Sequence, residues 1–143
     1  MHSQILQPVV VLLGWTMVVW VWLFVRRIPA LNKSETIDIN KQVGGTGKDL
    51  DGLLDPRTQW PAHNFNHLHE SPTLFYVVAL LLAFVGAGDG MNATIAWAYV
   101  VLRIIHSFIQ ITYNRVLHRF IVYFLSGLAL IALILHAAMH VFH

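Results

Sequence analysis

The chain has 143 residues, of which 57% are hydrophobic and 11% charged, with a formal net charge of +2 at pH 7. That balance lies outside the range of a soluble globular domain, and no basic patch with interleaved aromatics offers itself to nucleic acid. Cysteine is absent, which excludes disulfides and thiolate ligands, so any thiol chemistry must use a thiol carried by a substrate.

Charge is concentrated in one stretch: six of the nine Lys+Arg and five of the seven Asp+Glu fall between Arg26 and Arg57. The other apolar runs reach the roughly 20 residues that a bilayer requires. We read an all-α membrane protein, one unit over 1–143, folded as a four-transmembrane-helix bundle. Its spans are expected at about 5–25, 62–86, 92–114 and 117–140, with a polar loop over about 26–60.

The first span ends in Arg26-Arg27. A signal peptide carries its positive charge before the apolar run, so a retained helix is expected here. In the loop, Gly44-Gly45-Thr46-Gly47-Lys48 lacks the spacing and the preceding strand of a phosphate loop. Pro61 fits the first turn of the second helix, and Pro72 predicts a kink or break close to Glu70. Asn92-Ala93-Thr94 matches a glycosylation sequon, in a tight turn poorly suited to modification. Gly127 in the fourth helix is expected at a close helix contact. The first and third loops carry the arginines and lysines, and the second carries none. The positive-inside rule then puts both termini outside the cytoplasm and opens the polar loops to it.

The residues that hydrocarbon tolerates least lie at the entry to helix two and along helix three. His63, Asn66, His67 and Glu70 share a helical face within His63-Asn64-Phe65-Asn66-His67-Leu68-His69-Glu70-Ser71-Pro72. A carboxylate in a span costs about 2.5–3.5 kcal/mol on insertion scales, so Glu70 needs a partner. Arg103 offers one. It sits on a face with Tyr99, His106, Gln110, Tyr113 and Asn114, opposite Val101, Ile104, Ile105 and Phe108. An Arg103–Glu70 pair holding two helices together and a ligand site beside it both fit that pattern. Arg115 and Arg119 flank the last turn; they can meet lipid phosphates. Arg119 in the first turn of helix four also adds to a helix end that already attracts anions. His63, His67 and Glu70, with His106, have the spacing of a two-histidine, one-carboxylate face for iron, zinc or manganese. We assign no metal. His136, His140 and His143 suit the membrane interface.

Asn-x-x-x-Glu-x-Pro entering helix two, Arg-x-x-His in helix three and two arginines across a short turn together resemble the MAPEG family. These are membrane-associated proteins of eicosanoid and glutathione metabolism. The likeness is strongest to bacterial members, in Asn66-His67-Leu68-His69-Glu70-Ser71-Pro72 and Arg103-Ile104-Ile105-His106-Ser107. It implies a homotrimer in a bacterial inner membrane, with sites between subunits that take glutathione from the cytoplasm and a lipophilic electrophile from the bilayer. It implies glutathione contacts from Asn66, Glu70, Arg103, His106, Gln110, Tyr113 and Arg115, and from Arg26 or Arg27 to a carboxylate of the peptide. Arg119 takes the place of the arginine that polarises the thiol. The expected function is a glutathione-dependent transferase or peroxidase. The alternative is a non-catalytic lipid-binding protein or accessory subunit of a membrane complex. Two departures bear on that choice: a family arginine falls on Ala62, and a family tyrosine on Gln110.

Overall fold

Among the described residues, four helical segments are long and apolar enough to cross a membrane, and the protein is a multi-pass integral membrane protein. The computed structural model describes residues 2–38 and 40–143. Helix α1 spans Leu6–Lys33 and continues past Arg26-Arg27, where the polar loop was expected to begin. Val9, Leu12, Thr16, Val19 and Leu23 form its one buried seam at helical spacing, while Val10, Leu13, Met17, Val21 and Val25 stay exposed. A helix that is apolar all round but buried on one stripe gives its other faces to lipid. The chain before α1 is held to the turn at Gly88-Asp89: Ile5 N–H donates to Gly88 O (2.9 Å) and Gln4 N–H to Asp89 Oδ1 (2.8 Å). Gly88 permits this approach, because a Cβ there would collide with Ser3 and Ile5.

The loop contains a short 3₁₀ turn over Gly47–Leu50, closed by a Thr46/Asp49 capping box. Helix α2 spans Pro56–His67 and starts earlier than expected. Its entry is Asp55, whose Oδ1 accepts from Arg57 N–H (3.0 Å), followed by Pro56 at the first helical position. Pro61 is therefore inside the helix. It has no N–H for the carbonyl of Arg57, and Arg26 Nη1 donates to that oxygen instead (3.3 Å).

The expected break near Glu70 is complete. Leu68 to Glu70 leave the helix, and α3 runs over Ser71–Phe84. Pro72 cannot bond back to Leu68, while the buried Leu68 side chain anchors the break in the core. Together α2 and α3 make one crossing, Pro56–Phe84. Helix α4 (Met91–Thr112) is the centre, packed against α1, α2 and α5. Asn114 adopts a left-handed conformation (φ 51°) at the tight turn into α5, Val116–Val141. Ser126, Leu130, Leu133 and Ala137 are the buried stripe of α5.

At the start of α4, Asn92 donates to Ala87 O (2.8 Å) and accepts from His136 Nδ1 (2.5 Å). The sequon asparagine is thus buried and used as a helix tie. Gly127 meets no atom within 4 Å of its Cβ direction, so it makes no close helix contact within the chain.

Candidate functional site

The break after α2, the middle of α4 and the first turns of α5 bring polar side chains together inside the bundle. Arg103 is completely buried. Its Nη2 points to the carbonyl of His67 (3.5 Å) and its guanidinium lies 5.8 Å above the Tyr123 ring. The α2 C-terminus ends here, its last carbonyl already accepting from Glu70 N–H (3.1 Å), so the negative end of a helix dipole faces the cation. Arg103 Nε and Nη1 are buried without partners. His106 is 3% exposed, its ring 5.5 Å from His67 and 6.2 Å from Tyr123, and its Nδ1 has no partner. Arg119, in the first turn of α5, has a buried, unpartnered Nε, and its charge reaches His67 and His106.

The ion pair expected between Glu70 and Arg103 is not formed. The break turns Glu70 outward, leaving its side chain 67% exposed, with His67 Nδ1 as its nearest basic partner at 3.7 Å. Among the described residues, no carboxylate lies within ion-pair distance of Arg103 or Arg119. Among the described residues, the His67 carbonyl is the one hydrogen-bond acceptor at the buried guanidinium and the Tyr123 ring its aromatic neighbour.

A second polar assembly occupies the other side of α2. A cavity of about 540 Å³ lies between the end of α1, the loop and α2, with Asn66, His63 and Arg27 in its wall. Arg27 Nη2 donates to Gln59 Oε1 (3.1 Å), and Gln59 Nε2 donates to Asp51 Oδ1 (2.8 Å). His63 Nε2 donates to the same carboxylate oxygen (2.9 Å). The hydrogen bonds from Gln59 and His63 hold the Asp51 carboxyl below its ordinary range.

The residues singled out from sequence are therefore divided. Glu70, Arg103, His106 and Arg119 gather around the buried cluster. Arg26, Arg27 and Asn66 belong to the α1 side, and the two arginines tie α1 to α2 and the loop. Gln110 accepts from Asn64 Nδ2 (2.9 Å), joining α4 to α2. Tyr113 is exposed and shares a hydrogen bond with His118 (2.9 Å); Arg115 is exposed at the turn. His63 and His67 point into different assemblies, and among the described residues no three His, Asp or Glu side chains converge as a metal site. The position on this turn that faces α4 is His67, because successive residues of a helix diverge by about 100° and Asn66 takes the α1 side. Tyr123 was not anticipated. Its signal is its place four residues after Arg119, on the same face of α5. Asn64 and Ser107, both fully buried, were also missed.

A protein-family model, described as the MAPEG family, matches residues 5–139. Comparison with curated proteins and with solved structures returns no match.

Proposed function

The chain belongs to the MAPEG family, and on that premise we propose that it is a glutathione-dependent transferase or peroxidase acting on lipophilic electrophiles. The observation that carries this reading is the pair of arginines, fully buried Arg103 and half-buried Arg119, with no carboxylate at ion-pair distance of either among the described residues. Unpaired cations in such surroundings call for an anion, and a thiolate with its peptide carboxylates supplies one.

A thiol of ordinary pKa about 8.5 is only a few per cent ionised at neutral pH. Arg119, helped by the positive end of α5, stabilises the anionic form. A charge-assisted hydrogen bond of about 1.5–3 kcal/mol lowers the thiol pKa by one to two units. The thiolate then bonds to the electrophilic atom as the leaving group departs with its electron pair. No nucleophile from the chain is needed, in keeping with the lack of cysteine.

The functional form in this reading is a homotrimer in a bacterial inner membrane, with both termini outside the cytoplasm. Glutathione enters from the cytoplasmic side. The charge of the first and third loops supports that orientation. The apolar groove between α3 and α5, lined by Leu74, Val77, Leu81, Ile134 and Val141, fits a lipophilic partner or a lipid tail.

Stopped-flow mixing with saturating glutathione tests the proposal. A thiolate absorbance band is expected in the wild type, and its amplitude at neutral pH falls about tenfold or more in Arg119→Leu. No band in the wild type overturns the reading. One observation favours a non-catalytic, lipid-binding role instead: Gln110 stands at the family tyrosine and is already engaged by Asn64. That role predicts lipid retention through purification and no thiolate band.

A further inference from the structure

His67 is the histidine of the buried cluster that combines an open side with a carboxylate behind it. It is the last residue of α2, and the break at Leu68–Glu70 folds Glu70 back toward it. Nδ1 is buried and lies 3.7 Å from Glu70 Oε2, yet the side chain keeps 35% of its surface exposed. Nδ1 makes no hydrogen bond, and the exposed surface of the side chain lies elsewhere than at this nitrogen. The ring stands 5.5 Å from His106 on α4 and 6.5 Å from Tyr123 on α5. The charged and titratable groups around it are Glu70 from the break, Arg103 and His106 from α4, and Arg119 and Tyr123 from α5, with His63 one turn back on its own helix but turned to the other assembly.

We propose that His67 is the base that removes the thiol proton, and that Glu70 is its positioning residue. The inference rests on the thiol chemistry proposed above. Glu70 favours the tautomer with the proton on Nδ1, which makes Nε2 the basic nitrogen. The S–H bond breaks, its proton passes to Nε2, and the electron pair stays on sulfur beside Arg119. Sulfur then bonds to the electrophile, whose leaving group takes the broken bond's electron pair. The imidazolium returns its proton to that group or to water, and the exposed Glu70 carboxylate connects the ring to solvent. His106 is less suited, because it is almost wholly enclosed beside Arg103.

The division of labour is specific. Arg119 sets how much thiolate exists at equilibrium, and His67 sets how fast it forms. The full chain in lipid nanodiscs is mixed with glutathione, and the rise of the thiolate band is followed across pH; a chlorodinitrobenzene serves for turnover. His67→Gln is expected to slow thiolate formation about 100-fold at neutral pH while keeping its final amplitude. The rate should recover in alkaline solution and on addition of free imidazole. Glu70→Gln, a change to an exposed side chain, keeps the test open if His67→Gln does not fold. It is expected to slow thiolate formation about tenfold and to move the midpoint of the pH profile downward, since loss of the carboxylate makes the ring less basic. Wild-type rate and pH profile in either variant overturn the role of His67 and leave the transferase reading standing. A wild type that forms no thiolate and no conjugate overturns both.

Discussion

Arg103 shows what a single residue decides. A guanidinium with no carboxylate at ion-pair distance is a poor contributor to stability, since burying it costs several kcal/mol that one carbonyl and one aromatic face offset only in part. Arg103→Met is therefore expected to leave the melting temperature in detergent equal to or above that of the wild type, while thiol turnover falls at least about tenfold. A fall in melting temperature together with intact turnover would assign Arg103 to structure alone. Asp51 makes the opposite case, a surface carboxylate used to pin a loop. Its carboxyl is held low by Gln59 and His63, so its contribution is present above the ordinary carboxylate range and is lost as pH falls through the depressed value. Protease protection around Lys48 should thus persist through pH 5 and disappear only below about pH 4. Asp51→Asn should remove that acid step.

At the scale of elements, prolines decide where the helix of the second crossing begins, where it is tied and where it breaks. Pro56 starts α2 behind the Asp55 cap, Pro61 frees a carbonyl inside it, and Pro72 excludes its continuation into α3. The freed carbonyl of Arg57 is what Arg26 binds, which locks the end of α1 to α2. Pro61→Ala restores an amide that competes for that oxygen. Arg26→Ala should then cost less in the Pro61→Ala background than alone, with a coupling of about 0.5–1.5 kcal/mol in a double-mutant cycle of thermal unfolding. Additive losses would show that the Arg26 contact carries no energy. Gly88 is a simpler test. A side chain there collides with Ser3 and Ile5 and lies 3.2 Å from the Ala83 backbone, so Gly88→Val should destabilise by about 1–3 kcal/mol and release the segment before α1 to proteolysis.

For the whole molecule, the division of polar groups between the two sides of α2 bears on assembly. Arg26, Arg27 and Asn66 lie on the α1 side, and Arg103, His106 and Arg119 on the α4–α5 side. In the trimeric form proposed above, a ligand contacting both sets would bridge two subunits, and native mass spectrometry from nanodiscs is then expected to find three copies; a monomer that still forms thiolate would remove the need for a shared site. The chain itself fixed the membrane class and the four-helix bundle, because runs of about 20 apolar residues have no other stable solution in a bilayer. It also marked the break near Glu70, since proline acts locally on backbone hydrogen bonds. Which side of α2 each polar residue faces was a tertiary decision. Periodicity put His63, Asn66, His67 and Glu70 on one face, but α2 is packed between α1 and α4, so a difference of about 100° separates Asn66 from His67. The outward turn of Glu70, the carbonyl that takes its place at Arg103 and the Tyr123 ring beneath that guanidinium arise only when three helix ends meet, because each depends on contacts between residues far apart in the chain.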